Sequence, residues 1–255
     1  MKNEHLIVDG VDVHFTDRGT GAVVLLLHGW GDTLSTFDAL ISALGNKRFI
    51  AVDLPGFGGS ELPTTSWDVS QYVQFVRHFL DKLSINQPDI LVGHSFGGRV
   101  AIKGVANQII RPNKLVLIAS AGVAIRNTAR QGVFSILAKT GKFLTSIPPF
   151  SLLRESLKSQ LYKLTGSTDY LKAGPMKETF LKVVREDLLV DAEKIKTPTL
   201  LVWGKDDTET TIAEAHILEK AITNSNLTII PGAGHFVHRE MPEEVAEKIK
   251  IFIAT

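Results

Sequence analysis

The 255-residue sequence predicts an α/β fold in which a mostly parallel, doubly wound sheet is flanked by helices and carries one helical insertion. Three observations predict it. Six short apolar runs, Val23-Val24-Leu25-Leu26-Leu27, Phe49-Ile50-Ala51-Val52, Ile90-Leu91-Val92, Leu115-Val116-Leu117-Ile118, Leu200-Leu201-Val202 and Leu227-Thr228-Ile229-Ile230, lack alternation, as strands covered on both faces do. Helical periodicities lie between them. The rhythm then breaks between Ala121 and Lys194, where helical patterns run without a six-residue β segment.

Taken in order, His5 to Asp9 and Val11 to Phe15 alternate around the turn-forming Asp9-Gly10 and read as a hairpin with one solvated face. With the six apolar runs this makes eight strands. Thr36 to Leu44 reads as a helix, as does Trp67 to Leu83, where Val69, Tyr72, Val73, Val76, Phe79, Leu80 and Leu83 recur at helical spacing. Phe96 to Asn107, Ile212 to Ile222 and Pro242 to Ile253 supply the remaining core helices. Residues 1–120 and 195–255 therefore form the expected core. Residues 121–194 form the insertion, interrupted at Ile147-Pro148-Pro149 and Ala173-Gly174-Pro175.

Composition narrows the function classes. The formal net charge is +1 and no basic run exceeds Lys47-Arg48, so no field gathers nucleic acid. The charge is unevenly placed: twelve Lys/Arg against seven Asp/Glu give the insertion +5, leaving −4 elsewhere. With no cysteine, covalent chemistry must come from oxygen or nitrogen. Met1-Lys2-Asn3-Glu4-His5 leads into strand-like sequence without a signal-peptide pattern, and Ala22 to Leu27 is far below the roughly 20 residues of a membrane span, so a soluble cytoplasmic protein is expected.

The strongest chemical signal is Gly93-His94-Ser95-Phe96-Gly97-Gly98, placed directly between an apolar strand and a helical pattern. G-x-S-x-G in that context makes a sharp turn holding the serine in a strained conformation above the sheet edge. The helix starting behind it favours negative charge, and the Phe96 amide can face the oxygen of a tetrahedral intermediate. The plainer reading makes Ser95 a helix cap.

A serine hydroxyl needs a base. Of the eight histidines, His5, His14, His78 and His216 fall on the hairpin or within helices and read as structural. His94 reads as packing. His235, in Pro231-Gly232-Ala233-Gly234-His235 after the last strand, can drop an imidazole over the sheet's C-terminal edge, with His238 as the fallback. The imidazole needs a carboxylate, and Asp206, Asp207 and Glu209 follow the strand ending at Trp203. Asp206 and Glu209 otherwise read as solvated loop charges. A second oxyanion donor is expected after the first parallel strand, in His28-Gly29-Trp30-Gly31-Asp32, where Gly29 and Gly31 permit a turn that aims the Trp30 amide inward. Asp53-Leu54-Pro55-Gly56-Phe57-Gly58-Gly59-Ser60 lacks a phosphate-binding spacing and reads as structural.

On these residues, together with Trp203-Gly204-Lys205-Asp206-Asp207 and Gly232-Ala233-Gly234-His235, the chain resembles the α/β-hydrolase superfamily over nearly its whole length. It resembles in particular the serine-nucleophile branch with a helical cap. The resemblance implies the chain order nucleophile, acid, histidine. That selects Asp207 over Asp206, assigns Ser95, Asp207 and His235 as catalytic, and makes Trp30 and Phe96, with Gly29, the oxyanion site. It makes 121–194 a cap that roofs the pocket. Ser95 at the elbow and Gly31 after the H-G-x opening depart from epoxide hydrolases and haloalkane dehalogenases. Phe96 departs from proline iminopeptidases.

The expected function is hydrolysis of a small or medium carboxylic ester, possibly a lactone, through an acyl-enzyme on Ser95, with no metal and no organic cofactor required. Two alternatives stay open: a C–C bond hydrolase of an anionic diketone ring-cleavage product, suggested by the basic insertion, and a triad-bearing ligand receptor. Contact of Phe134 to Leu164 with an anionic membrane is weighed against core packing of the cap, which is favoured.

Overall fold

The computed structural model of the chain describes residues 4–123 and 173–254. Two compact units are present, Met1–Val123 with Glu178–Thr255, and Ala124–Lys177. The second unit lies almost wholly outside the described residues, and with it the expected cap and its apolar-basic segment. Residues 178–194, grouped with the insertion from sequence, cluster with the first unit.

The first unit is built on one eight-stranded sheet in the order β1-β2-β4-β3-β5-β6-β7-β8. Its strands are β1 (Glu4–Val8), β2 (Val11–Arg18), β3 (Val23–Leu27), β4 (Arg48–Val52), β5 (Ile90–His94), β6 (Lys114–Ile118), β7 (Thr199–Gly204) and β8 (Ser225–Ile230). β1 and β2 form the hairpin, turning at Asp9 and Gly10, both with positive φ (51° and 81°) as a type I′ turn requires. β2 joins β4 antiparallel, and every later pairing is parallel.

The α-helices among the described residues are α1 (Asp38–Leu44), α2 (Val69–Lys82), α3 (Phe96–Ala106), α4 (Lys177–Arg185), α5 (Leu189–Ala192), α6 (Ile212–Ala221), α7 (Val237–Glu240) and α8 (Pro242–Ala254). α2 starts where its sequence says it must, because Asp68 and Gln71 exchange side-chain-to-amide bonds of 3.0 Å in each direction.

Side chains alternate across each strand, so the uninterrupted apolar runs feed two cores. Val24, Leu26, Val92, Val116, Ile118, Leu200 and Val202 pack in one cluster with residues of α1 and α8. Leu25, Leu27, Leu91, Leu115, Leu117 and Leu201, on the opposite face, are completely buried. β8 departs from the expectation of two covered faces: it is the sheet's edge, and Ile229 remains 36% exposed. Among the described residues no partner strand lies beyond it, and part of its outer face stays solvated.

β3 lies between β4 and β5, so successive crossovers leave it in opposite directions. Such a reversal opens a crevice at the C-terminal ends of the strands, where the loops after β3 and β5 separate. Among the described residues no helix is long and apolar enough to cross a membrane.

Candidate active site

Ser95 stands between the last residue of β5 and the first of α3, at φ 49° and ψ −109°. Holding a non-glycine residue there costs about 1–3 kcal/mol, so the surroundings must impose it. The Ser95 amide donates to the Ile118 carbonyl (3.1 Å), and its carbonyl accepts from the amides of Ala121 (3.1 Å) and Arg99 (3.3 Å). The flanking glycines leave no alternative. A Cβ on Gly97 would meet the Leu27 carbonyl oxygen at 2.0 Å, and one on Gly93 the Gly97 carbonyl oxygen at 2.7 Å. The Ser95 side chain caps nothing, and among the described residues its hydroxyl makes no hydrogen bond, to His235 or to any other group.

Asp207 and His235 are brought together. His235 sits beyond β8 on the glycine-rich loop, with Nδ1 3.0 Å from Asp207 Oδ2 and both side chains nearly inaccessible. Asp207 is fixed by its own loop: Oδ1 accepts the amides of Glu209 (2.8 Å) and Thr210 (3.0 Å), and Oδ2 lies 2.8 Å from the Thr210 hydroxyl. Burial pushes the Asp207 carboxyl upward, but the bonds from His235 and Thr210 outweigh it and hold the group below its ordinary value. An ionised Asp207 accepts from Nδ1–H, which leaves Nε2 as the basic nitrogen. Asp206, by contrast, is exposed.

His94 does more than pack. Its Nε2 lies 3.1 Å from the His235 carbonyl oxygen, and the two rings are 4.9 Å apart, so the residue before Ser95 holds the backbone of the histidine loop. Nε2 must carry the proton for that bond, and Nδ1 has no hydrogen-bond partner. Burial and the neighbouring His238 and His235 push His94 well below a solvated imidazole. His238, the fallback base, is fully buried, meets the Thr36 hydroxyl at 2.9 Å, and is lowered to about 3 by burial and by the nearby Arg239 and His235. It is a core residue.

The loop after β3 closes on the same cluster. A Cβ on Gly29 would lie 2.9 Å from His94 Nδ1 and 3.3 Å from the Ser95 Cβ, which puts this backbone against the elbow. His28 pins it: Nδ1 bonds the Gly29 carbonyl (2.7 Å) and Nε2 accepts the Leu54 amide (2.9 Å), an arrangement that burial supports by keeping the ring neutral. The amides of Trp30 and Phe96 donate to no group among the described residues. The Trp30 indole stacks edgewise on Phe57 (4.9 Å), Phe96 (5.4 Å) and Phe180 (5.1 Å), giving an apolar wall beside the serine.

Phe57 is presented by the turn after β4. Asp53 accepts the Leu34 amide (2.6 Å) on one oxygen, and the Gly59 amide (2.8 Å) and His14 (2.7 Å) on the other. Phe180 is presented by α4, whose end is held by Arg99 bonds to the carbonyls of Val183 (3.0 Å) and Glu186 (2.8 Å) and by the Lys103–Glu186 ion pair.

Sequence reasoning missed two neighbours and misread a third. Thr210 could have been found, since an aspartate followed by polar residues invites its own amides two and three positions on. Phe180 carried no signal. Glu209, read as a solvated charge, folds back so that its Oε2 stands 3.5 Å from His235 Nε2, although its side chain is 58% exposed. Among the described residues no cluster of three or more His, Asp or Glu side chains could hold a metal ion.

The profile described as Alpha/beta hydrolase family matches residues 24–248. A 2-hydroxy-6-oxo-6-(2'-aminophenyl)hexa-2,4-dienoic acid hydrolase of Metapseudomonas resinovorans is 26% identical, over 96% of this chain and 88% of its own. A monoacylglycerol lipase of Rattus norvegicus is 25% identical, over 91% of this chain and 75% of its own. Among solved structures, an esterase from Exiguobacterium antarcticum superposes with a TM-score of 0.75 at 22% identity, covering 100% of both chains, and shares the fold.

Proposed function

Because the chain belongs to the alpha/beta hydrolase family, we propose that it is a serine hydrolase that cleaves a small to medium carboxylic ester, lactones included, through an acyl-enzyme on Ser95. The observation that carries this reading is the buried Asp207–His235 pair at the edge where a strained serine stands unused as a helix cap. In the proposed cycle the Ser95 oxygen attacks the acyl carbon as its proton passes to His235 Nε2. The amides of Trp30 and Phe96, on the turn that Gly29 allows, stabilise the oxyanion. The imidazolium then protonates the leaving alcohol, and water, deprotonated by the same nitrogen, releases the acid. Each oxyanion donor is worth about 10²–10³ in rate.

Ser95→Ala abolishes turnover of p-nitrophenyl butyrate, and fluorophosphonate labelling followed by peptide mapping finds the adduct on Ser95. Turnover retained in that variant excludes the proposal.

The second reading, C–C hydrolysis of an anionic ring-cleavage product, is supported by the Metapseudomonas relative and by the +5 charge of residues 121–194. Ester turnover with none on a ring-fission acid removes it.

A further inference from the structure

The base has a carboxylate on each side of its ring. Asp207 holds Nδ1 at 3.0 Å, and Glu209, two residues on, lies 3.5 Å from Nε2. The reaction needs one; a negative charge beside Nε2 lies where the scissile bond must come.

We propose that Glu209 is a specificity-determining residue that confines the site to uncharged esters by placing negative charge beside Nε2, the nitrogen of His235 that takes the proton. The inference rests on the assignment of His235 as the base and deepens the ester reading. Two consequences follow from Coulomb attraction and repulsion alone. A substrate with its own carboxylate close to the scissile carbonyl meets Glu209 and is disfavoured, whereas a neutral ester is not. The imidazolium that forms on proton transfer is stabilised, so its proton affinity is higher than with a neutral residue at 209.

Among the described residues, the other charged or titratable groups around His235 do not supply this charge. Asp207, from the same loop, is on the far nitrogen. His94, at the end of β5, and His238, on α7, are held neutral by burial. Of the other α7 charges, Arg239 lies over the Phe236 ring and Glu240 accepts the Gly234 amide at 2.6 Å. Because Glu209 is more than half exposed, salt screens its effect.

The test compares p-nitrophenyl butyrate with p-nitrophenyl hemisuccinate, alike in length but neutral and anionic. The intact protein is compared with Glu209→Gln and Glu209→Lys, at low and high salt. The ratio of kcat/KM, anionic over neutral, rises about fivefold or more in Glu209→Gln, further in Glu209→Lys, and the gain shrinks with salt. A ratio that stays put in both variants overturns the proposal. The His235 imidazole titration, followed by NMR, requires no turnover: its midpoint falls by about half a unit or more in Glu209→Gln. An unmoved midpoint also overturns the proposal. Failure of the wild-type chain on both esters removes the ester reading instead, and the titration still decides whether Glu209 acts on the imidazole.

Discussion

Two aspartate–histidine pairs stand at the same edge of the sheet, and the proposed mechanism uses only one. Asp53, just past β4, meets His14 of β2 at 2.7 Å; Asp207, past β7, meets His235 at 3.0 Å. Both carboxylates are nearly inaccessible and both accept amides from their own loops. The difference lies in the histidines. His14 is fixed within a strand, and a Cβ on Gly59 would meet its ring at 2.9 Å. His235 rides on a loop beyond its strand, with Nε2 towards Glu209 and its backbone tied to His94 beside the serine. A buried pair is thus a structural clamp unless the second nitrogen of its imidazole opens onto a site.

The largest expected effect breaks the second pair. Asp207→Asn lowers kcat/KM on p-nitrophenyl butyrate about 10³–10⁴-fold while the protein still folds, because the imidazole loses its tautomer and its counter-charge. Asp53→Asn does the reverse. It sets a donor against amides that need an acceptor, which costs about 2–3 kcal/mol and, in a chain of this size, about 5–10 °C in Tm. The activity of the folded fraction stays within a few fold. Calorimetry and steady-state kinetics on both variants check the contrast, and equal losses of activity from the two substitutions would erase it.

Acid sharpens the comparison through the imidazoles around the second pair. His94, His238 and His28 have lowered proton affinities, so the unfolded chain binds protons that the folded one refuses. Their contribution is complete above about pH 6.5 and is lost as pH falls, down to about 3 for His238. Asp207, also lowered, adds to the loss at more acidic pH, below the ordinary carboxyl range. Each histidine steepens the fall by up to about 1.4 kcal/mol per pH unit. Urea unfolding at pH 7.5, 6 and 5 reads the slope, and a flat profile contradicts it.

The smallest effect is at Thr210, which touches both members of the pair. Thr210→Val keeps the shape and removes the hydroxyl, and kcat falls about tenfold, near the worth of one hydrogen bond to a charged group.

Much of this arrangement was legible in the residues. β3 was predicted to the residue, and β4 to β7 within a few positions, because a strand covered on both faces must be apolar throughout, and the glycines of the elbow advertise a turn without room for side chains. β8 was misjudged because Leu227 to Ile230 look like an interior strand, and nothing along the chain says that it ends the order of the described strands. The grouping of Asp207 with His235 came from resemblance rather than from spacing. Glu209 was illegible for a related reason. A loop carboxylate is read as solvated by default, and its return to Nε2 depends on the bend that the Glu209 and Thr210 amides make around Asp207.

The stitching of α4 and its flanks bears on engineering. Leu188 donates to the Gly122 carbonyl at 2.8 Å, Lys182 reaches the Ser66 carbonyl at 2.6 Å, and Trp67 bonds the Thr179 hydroxyl at 3.1 Å. The chain leaves the first unit at Val123 and rejoins it at Glu178 between posts fastened by bonds that do not involve the excursion itself. Because those bonds lie wholly within the first unit, the two posts are expected to keep their places when residues 124–177 are exchanged for a foreign segment, so the excursion can be varied on an unchanged chassis.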